Sequence, residues 1–242
     1  MKTKLISTLG ISILLLLMSL SALAQNQETT DPVVSDSLKI TNRYGIRLGG
    51  DLSKLIRTVL DDDYKGFEIM GDYRITKRLY IAGEIGLEER TTNSEFLSST
   101  ANGSYFKAGI DYNSFDNWFG MENAIYGGLR VGASTFKQTI NSFTIYNTNQ
   151  YWGEQFTSTT PQEFSGLTAL WSELIIGLKA EVLPNLYLGL NAQLKVLISN
   201  DQPSNFENIY IPGFNKTYDS GRFGVGYGYN ISYLIPLYKK EK

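Results

Sequence analysis

Apolar and polar residues alternate in eight separate stretches of this chain, and that period of two constrains the fold more than any other feature. Successive side chains of an extended strand point to opposite faces, so each stretch reads as a strand with one apolar and one polar face. In YGIRLGGDL, Tyr44, Ile46, Leu48 and Leu52 oppose Arg47 and Asp51; in FEIMGDYRI, Phe67, Ile69, Tyr73 and Ile75 oppose Glu68, Asp72 and Arg74. LYIAGEIGL, YFKAGIDY and IYGGLRVGA set Tyr80, Glu84, Lys107, Asp111, Tyr126 and Arg130 against aliphatic and aromatic partners. WSELIIGLKAEV and LYLGLNAQLKVLI do the same with Trp171, Glu173, Lys179, Glu181, Tyr187, Asn191, Gln193 and Lys195. The last, FGVGYGYNISYLI, places Phe223, Val225, Tyr227, Tyr229, Ile231, Tyr233 and Ile235 opposite Gly224, Gly226, Gly228, Asn230 and Ser232.

Stretches of about nine residues are long enough to cross a bilayer as tilted strands, and an even count suits a single-chain bacterial barrel. Alternation alone leaves open which face is outside, because a soluble, secreted lipocalin-like ligand-binding barrel turns its apolar face inward. Connection length separates the two. Residues 76–78 and 183–185 form short turns, the latter around Pro184, and 114–122 a moderate one, whereas 53–65, 88–102, 135–169 and 199–222 are longer. Short periplasmic turns alternating with long outer loops are the pattern of outer-membrane barrels. The expectation is an all-β, eight-stranded antiparallel transmembrane (outer-membrane) β-barrel, an up-and-down meander over residues 44–238. A ten-stranded variant arises if residues 143–156 form a hairpin within the membrane, which would turn Asn, Gln and Glu toward lipid.

The N-terminus reads as an address. Lys2 and Lys4 precede an apolar stretch over residues 5–23, and Ala22-Leu23-Ala24 stands before Gln25, the layout of a secretory signal peptide cleaved between Ala24 and Gln25. An uncleaved anchor is the rival, since residues 5–24 are about long enough to span a bilayer; the brevity of the densest apolar run favours cleavage. Residues 25–43 follow as a flexible periplasmic leader, and 239–242 form a C-terminal tail. The expected destination is the cell outer membrane.

Composition removes several functions. The 242 residues include no Cys and no His, which excludes disulfides, thiolate nucleophiles, the usual Ser and Cys triads and most transition-metal sites. A net charge of −2 with a pI near 5.3 offers no basic footprint for nucleic acid. No cofactor and no metal are expected. Asp61, Asp62 and Asp63 supply oxygen ligands but lack the spacing of a defined cation loop, so they read as a solvated turn. Glu68, Glu84 and Glu173 are the carboxylates from which a hydrolytic pair would have to come. A packed, charge-balanced interior makes structure the better reading, so the protein is not expected to be an enzyme.

The polar faces supply that interior: Arg47, Asp51, Glu68, Asp72, Arg74, Glu84, Lys107, Asp111, Arg130, Glu173, Lys179, Glu181 and Lys195. Six cations against seven anions predict an ion-paired plug, since a selective pore would favour one sign and buried charges are costly unless paired. Inward Gly224, Gly226 and Gly228, with Gly45 and Gly49, are expected to leave room for Tyr80, Tyr126, Trp171 and Tyr187. Gly-x-Gly-x-Gly within a strand is no phosphate loop. In the third outer loop, Tyr146, Tyr151, Trp152 and Phe156 form an aromatic surface suited to an extracellular glycan, lipid or protein. The competing expectation is that these rings pack on one another and on Phe206, Tyr210 and Phe214, capping the barrel. Trp118 and Phe119 read as periplasmic interface anchors.

The apolar face of the last stretch ends Tyr227, Tyr229, Ile231, Tyr233, Ile235, Leu237, with Tyr238 after it. This resembles the aromatic C-terminal strand read by the barrel-assembly machinery, departing from it in the trailing Lys239-Lys240-Glu241-Lys242. Residues 44–238 as a whole resemble the small outer-membrane β-barrel proteins of unknown function of Bacteroidota-type bacteria. The resemblance implies outer-membrane lipid as surroundings and the assembly machinery as a partner during insertion. The expected role is structural or binding and non-catalytic. The alternatives are a small channel or transporter for an apolar or small ligand, and the soluble lipocalin-like barrel.

Overall fold

A computed structural model describes residues 41–115, 122–145, 156–217 and 221–241. In chain order the elements are β1 (Thr41–Asp51), α1 (Leu52–Leu60), β2 (Tyr64–Arg74), β3 (Leu79–Asn93), β4 (Leu97–Asn113), β5 (Ala124–Ile145) and β6 (Phe156–Ser158). They continue with β7 (Gln162–Leu183), β8 (Leu186–Asn200), β9 (Tyr210–Ile211), β10 (Asn215–Lys216) and β11 (Phe223–Glu241). Eight of these strands pair antiparallel with their chain neighbours, in the order β1, β2, β3, β4, β5, β7, β8, β11. β11 then pairs with β1 from Thr41↔Glu241 to Asp51↔Asn230, so the meander returns on itself as a ring. Closure removes the open edges that a sheet otherwise presents. It is helped by small residues: a β-carbon at Gly49 would overlap the Ile231 carbonyl and the Ser232 side chain, and one at Gly45 the backbone of Ile235 and Pro236.

The strands are longer than the alternation predicts, and three expectations change accordingly. β3 and β4 run on until only residues 94–96 connect them, so the long second loop expected over 88–102 is mostly paired strand. Past Leu87 and Phe106 the outward side chains become Glu89, Thr91, Thr100, Asn102 and Ser104, which erases the apolar half of the alternation while leaving backbone pairing intact. β5 and β7 likewise extend past Ala133, and β6 pairs with the end of β5 through Phe143↔Ser158 and Ile145↔Phe156. The hairpin expected over 143–156 is therefore a continuation of β5, with residues 146–155 outside the described set. β1 begins at Thr41 and β11 runs to Glu241, so residues 41–43 and 239–241 belong to the seam rather than to a leader and a tail. Residues 1–40, with the expected signal cleavage at Ala24 and Gln25, lie outside the described residues, as do Trp118 and Phe119.

The first long connection holds a helix where a loop is expected. Asp51 ends β1 and caps α1, its carboxylate accepting from the backbone N–H of Ser53 (2.7 Å) and Lys54 (3.4 Å) and from Ser53 Oγ (2.5 Å). Leu55, Ile56, Val59 and Leu60 lie on its exposed side, while Lys54, Arg57 and Thr58 are partly covered. Among the described residues no helix is long and apolar enough to cross a membrane, which bears only on helices.

Substituting Gly49 by Val is expected to weaken the seam by about 1–3 kcal/mol, the usual cost of forcing bulk into a tight contact. A lowered urea midpoint in detergent checks this, and an unchanged midpoint would mean that β1 and β11 do not approach as closely as described.

Candidate functional site

The ring carries its polarity inside out. Along β5, Ile125, Leu129 and Val131 are exposed while the alternating Tyr126, Arg130 and Ser134 are buried. Leu129 keeps 58% of its surface and Ile176 65%, whereas Lys107 and Glu173 keep 1% each. The outward face stays apolar around the ring and gives way at one height to Lys65, Glu89, Asn102, Lys137 and Glu163. These polar residues bond one another along the register: Lys65 to Glu89 at 3.0 Å, Asn102 to Glu89 at 2.6 Å and Lys137 to Glu163 at 3.3 Å.

Inside, the charges form one connected series. Arg47 pairs with Asp72 (2.8 Å), Asp72 with Lys179 (2.7 Å) and Lys179 with Asp111 (3.8 Å). Asp111 pairs with Arg130 (2.7 Å), Arg130 with Glu84 (3.5 Å) and Glu84 with Lys107 (2.5 Å). Lys107 also stands 3.4 Å from Glu68 and 3.9 Å from Glu173, and Glu173 3.5 Å from Lys195. Each member comes from a strand where parity points it inward. Cross-strand register then places opposite charges side by side, as in Glu84↔Lys107 and Glu173↔Lys195. Tyr80 and Tyr187 sandwich the Arg47 guanidinium at 5.1 and 5.0 Å, and Trp171 Nε1 donates to Glu173 at 2.7 Å. The cavity left among Arg47, Asp72, Glu84, Asp111, Arg130 and Lys179 measures about 20 Å³, roughly the room for one water.

Three of the expected interior residues do not join this series. Asp51 is inward but spends its carboxylate on the α1 cap rather than on a cation, because β1 stops there. Arg74 and Glu181 lie at the short-turn end, where Arg74 meets Glu122 at 3.1 Å and Glu181 meets Arg43 at 2.5 Å. The glycines of β11 also make room for other partners than expected. Gly224 faces the Phe214 ring, Gly226 the ends of Gln193 and Lys195, and Gly228 those of Asn191 and Asp51. Tyr126 and Trp171 instead lie over Gly177 and Gly132.

At the opposite end the interior is closed by a cluster absent from the sequence reading. Glu88, 3% exposed, accepts from Tyr64 OH (2.9 Å), Tyr210 OH (3.0 Å) and Gly213 N (2.8 Å), and pairs with Lys54. Tyr105 OH donates to Glu68 beneath it. These bonds tie the β9–β10 hairpin into the ring, with Ile211 and Phe214 buried against Tyr105, Phe136 and Trp171. A signal for Glu88 existed: it keeps the inward parity of Glu84, but lies past the point where the outward face turns polar. Phe206 stays above, with Phe143 at 5.3 Å and Phe164 at 6.0 Å, and Phe156 rests 6.2 Å from Phe143. The ring packing expected between the third and fourth loops thus runs through Phe143 and Phe206, while Tyr210 and Phe214 turn inside. Tyr146, Tyr151 and Trp152 lie outside the described residues. Asp61 pairs with Arg90, and among the described residues no cluster of carboxylates is arranged to hold a metal ion.

A family model described as a domain of unknown function matches residues 6–240, nearly the whole chain. The chain belongs to the DUF6048 family. Nothing among curated proteins matches this DUF6048 member. Among solved structures it is similar to Ail, the attachment invasion locus protein of Yersinia pestis, at 10% identity over 82% of this chain and 100% of that one, with a TM-score of 0.39.

Two outcomes follow from the geometry of this DUF6048 chain. Lys107→Met leaves Glu68, Glu84 and Glu173 facing one another without their shared cation, and is expected to cost about 3–5 kcal/mol in denaturant unfolding; a loss below about 1 kcal/mol, the level of an exposed ion pair, would mean the series is not a connected unit. The second concerns pH. Burial opposes the Lys54 ammonium, but Glu88 and Glu68 outweigh it and raise its pKa above the ordinary 10.5, while burial and Glu88 push the Tyr210 hydroxyl well above 10.0. Values raised on folding contribute stability that is whole below the ordinary value and is lost as pH rises past it. Cleavage by an alkali-stable protease between residues 201 and 217 is therefore expected to be slow at neutral pH and to rise once pH passes the ordinary Tyr and Lys values. Constant resistance across that range would count against the Glu88 clamp.

Proposed function

We propose that this DUF6048 protein is an integral outer-membrane β-barrel with a structural or binding role and no catalytic one. Its ion-paired interior is a plug, and its outer loops form the surface that meets an extracellular glycan, lipid or protein. The observation that carries the reading is the inverted polarity. A ring of strands with aliphatic side chains outward and paired charges inward is stable where the surroundings are apolar, and a soluble barrel has the opposite arrangement. The exposed apolar height supports it, since in β5 the apolar outward residues run from Ile125 to Ala133 before Thr135 and Lys137 take over. Tyr73, Tyr112 and Tyr238, exposed toward the short-turn end, suit the aromatic belt at the membrane surface. Outer-membrane lipid is then the solvent of the barrel, and the aromatic C-terminal strand is its address to the assembly machinery. An origin in Bacteroidota-type bacteria belongs to the same proposal and rests on the strand pattern.

A channel fits less well, because charges of both signs pair across an interior whose central cavity holds roughly one water. Leu129→Arg decides between lipid and water as surroundings. In a membrane barrel a cation near the middle of the lipid face costs about 2–4 kcal/mol and depresses insertion. In a soluble barrel an exposed Leu→Arg change stays within about 0.5 kcal/mol and favours recovery without detergent. Unimpaired folding of Leu129→Arg in detergent-free buffer would overturn the membrane reading. Planar-bilayer recordings are expected to show no stable unitary conductance.

A further inference from the structure

The ring is not uniform. β1 pairs with β11 only as far as Asp51↔Asn230 and with β2 only as far as Gly50↔Ile69, because Asp51 turns the chain into α1. Beyond that level β11 continues from Tyr229 to Phe223 paired with β8, and β2 continues from Glu68 to Tyr64 paired with β3. α1 takes the place left between them and packs against both strands. Its nine residues rise about 14 Å, close to the roughly 17 Å that β2 covers from Ile69 to Tyr64. Side chains reach the backbone on both edges that β1 leaves. Thr58 Oγ1 accepts from Gly66 N at 2.8 Å and donates to the Gly66 carbonyl at 3.2 Å, and Asn215 Nδ2 donates to the Val225 carbonyl at 3.2 Å. Such bonding is what apolar surroundings demand of a strand edge.

α1 is built inside out, as the strands are. Leu55, Ile56, Val59 and Leu60 recur at the spacing that puts them on one side of a helix, and that side is exposed, Val59 keeping 82% of its surface and Leu60 68%. The polar residues turn the other way: Lys54 pairs with Glu88, Thr58 bonds Gly66, and Arg57 stacks on the Tyr64 ring at 4.0 Å with Asp61 at 3.5 Å. A helix that borders water covers its apolar side and exposes its polar one. The exposed side of α1 is also continuous with the apolar face of the ring. Level with it, the outward residues are Phe67 of β2 and Leu87 of β3 on one flank and Val225 and Tyr227 of β11 on the other, all exposed. The polar belt begins where α1 ends. Asp61, Asp62 and Asp63 follow Leu60 directly, and Lys65 bonds Glu89 on the outward face one step beyond Gly66.

We propose that α1 is a lipid-facing part of the barrel wall, with Leu55, Ile56, Val59 and Leu60 against the acyl chains of the outer leaflet and the acidic turn Asp61–Asp63 at the level of its headgroups. An exposed apolar patch marks a partner, and continuity with the lipid-facing band on both flanks makes that partner the membrane itself. The first long connection is then divided: its helix belongs to the membrane-spanning wall and only its acidic turn meets water, which leaves the other long connections as the surface open to an extracellular partner. This inference rests on the membrane reading above.

The absence of Cys from the chain makes the test direct, because a single introduced thiol takes a nitroxide label at one site. The full-length barrel is labelled in turn at Val59→Cys, Ile56→Cys, Leu129→Cys and Asp62→Cys and inserted into phosphatidylcholine vesicles. Electron paramagnetic resonance power saturation then compares access of oxygen, which concentrates in lipid, with access of a neutral nickel chelate, which stays in water. Labels at Val59 and Ile56 are expected to favour oxygen over the chelate in the same sense as Leu129, with a ratio several-fold above that at Asp62. A label at Val59 that favours the chelate while Leu129 favours oxygen overturns the inference and leaves the membrane reading standing. Chelate preference at Leu129 as well, or failure of the barrel to insert, overturns both. A label at Val59 shielded from both reagents overturns the inference too, since protein then covers the helix; spectral broadening that fades on dilution with lipid would identify that protein as a second copy of this chain.

Discussion

Closure of the strand ring at the β1–β11 seam is the constraint on which the rest of the structure depends. Until those strands meet, the meander has two free edges and no inside, and charges on non-adjacent strands cannot reach one another. Once Thr41↔Glu241 through Asp51↔Asn230 are in register, cations and carboxylates from non-adjacent strands such as Lys179 and Asp72 come within 2.7 Å. Gly45 and Gly49 are small because the opposite backbone passes where a β-carbon would stand. The seam is also where the ring is least complete, since β1 contributes only its eleven residues before α1 replaces it.

The interior answers to electrostatics more than to shape. A ring of this width admits side chains and little else, and here it holds one connected series of opposite charges. Isolated, any of them would be expensive to bury; together each compensates the next, with Lys107 shared among three carboxylates. Aromatic rings take up the remaining space and supply polar tips: Trp171 donates to Glu173, Tyr105 to Glu68, and Tyr64 and Tyr210 to Glu88. The closure at the long-loop end uses the same chemistry, because Glu88 anchors the β9–β10 hairpin through Tyr210 and the Gly213 amide. The result is an interior filled by paired charges and rings, with a lateral cavity beside α1.

Much of this was legible in the chain itself. The eight alternating stretches correspond to the eight strands of the ring, and parity alone places Arg47, Glu68, Asp72, Lys107, Asp111, Arg130, Glu173, Lys179 and Lys195 on the inner side. Element ends were not legible. Strand ends leave no trace where both faces become polar, as in β3 beyond Leu87, because periodicity is visible only while the two faces differ. α1 is not legible because the nine residues LSKLIRTVL sit in a connection where polar and apolar residues offer no period of two, and its helical signal is brief.

What the sequence by itself determined is therefore the pattern that depends on neighbours along one strand: which side chains share a face, and that the polar face carries both signs of charge in near balance. The tertiary structure alone decided what depends on residues far apart in the chain. It chose which carboxylate meets which cation, drew Ile211 and Phe214 inside while leaving Phe206 on the rim, made Glu88 a buried anchor, and opened the wall beside α1. The physical reason is that alternation is a property of local backbone geometry, whereas pairing, burial and closure are set by the register between strands, which exists only once the ring has formed.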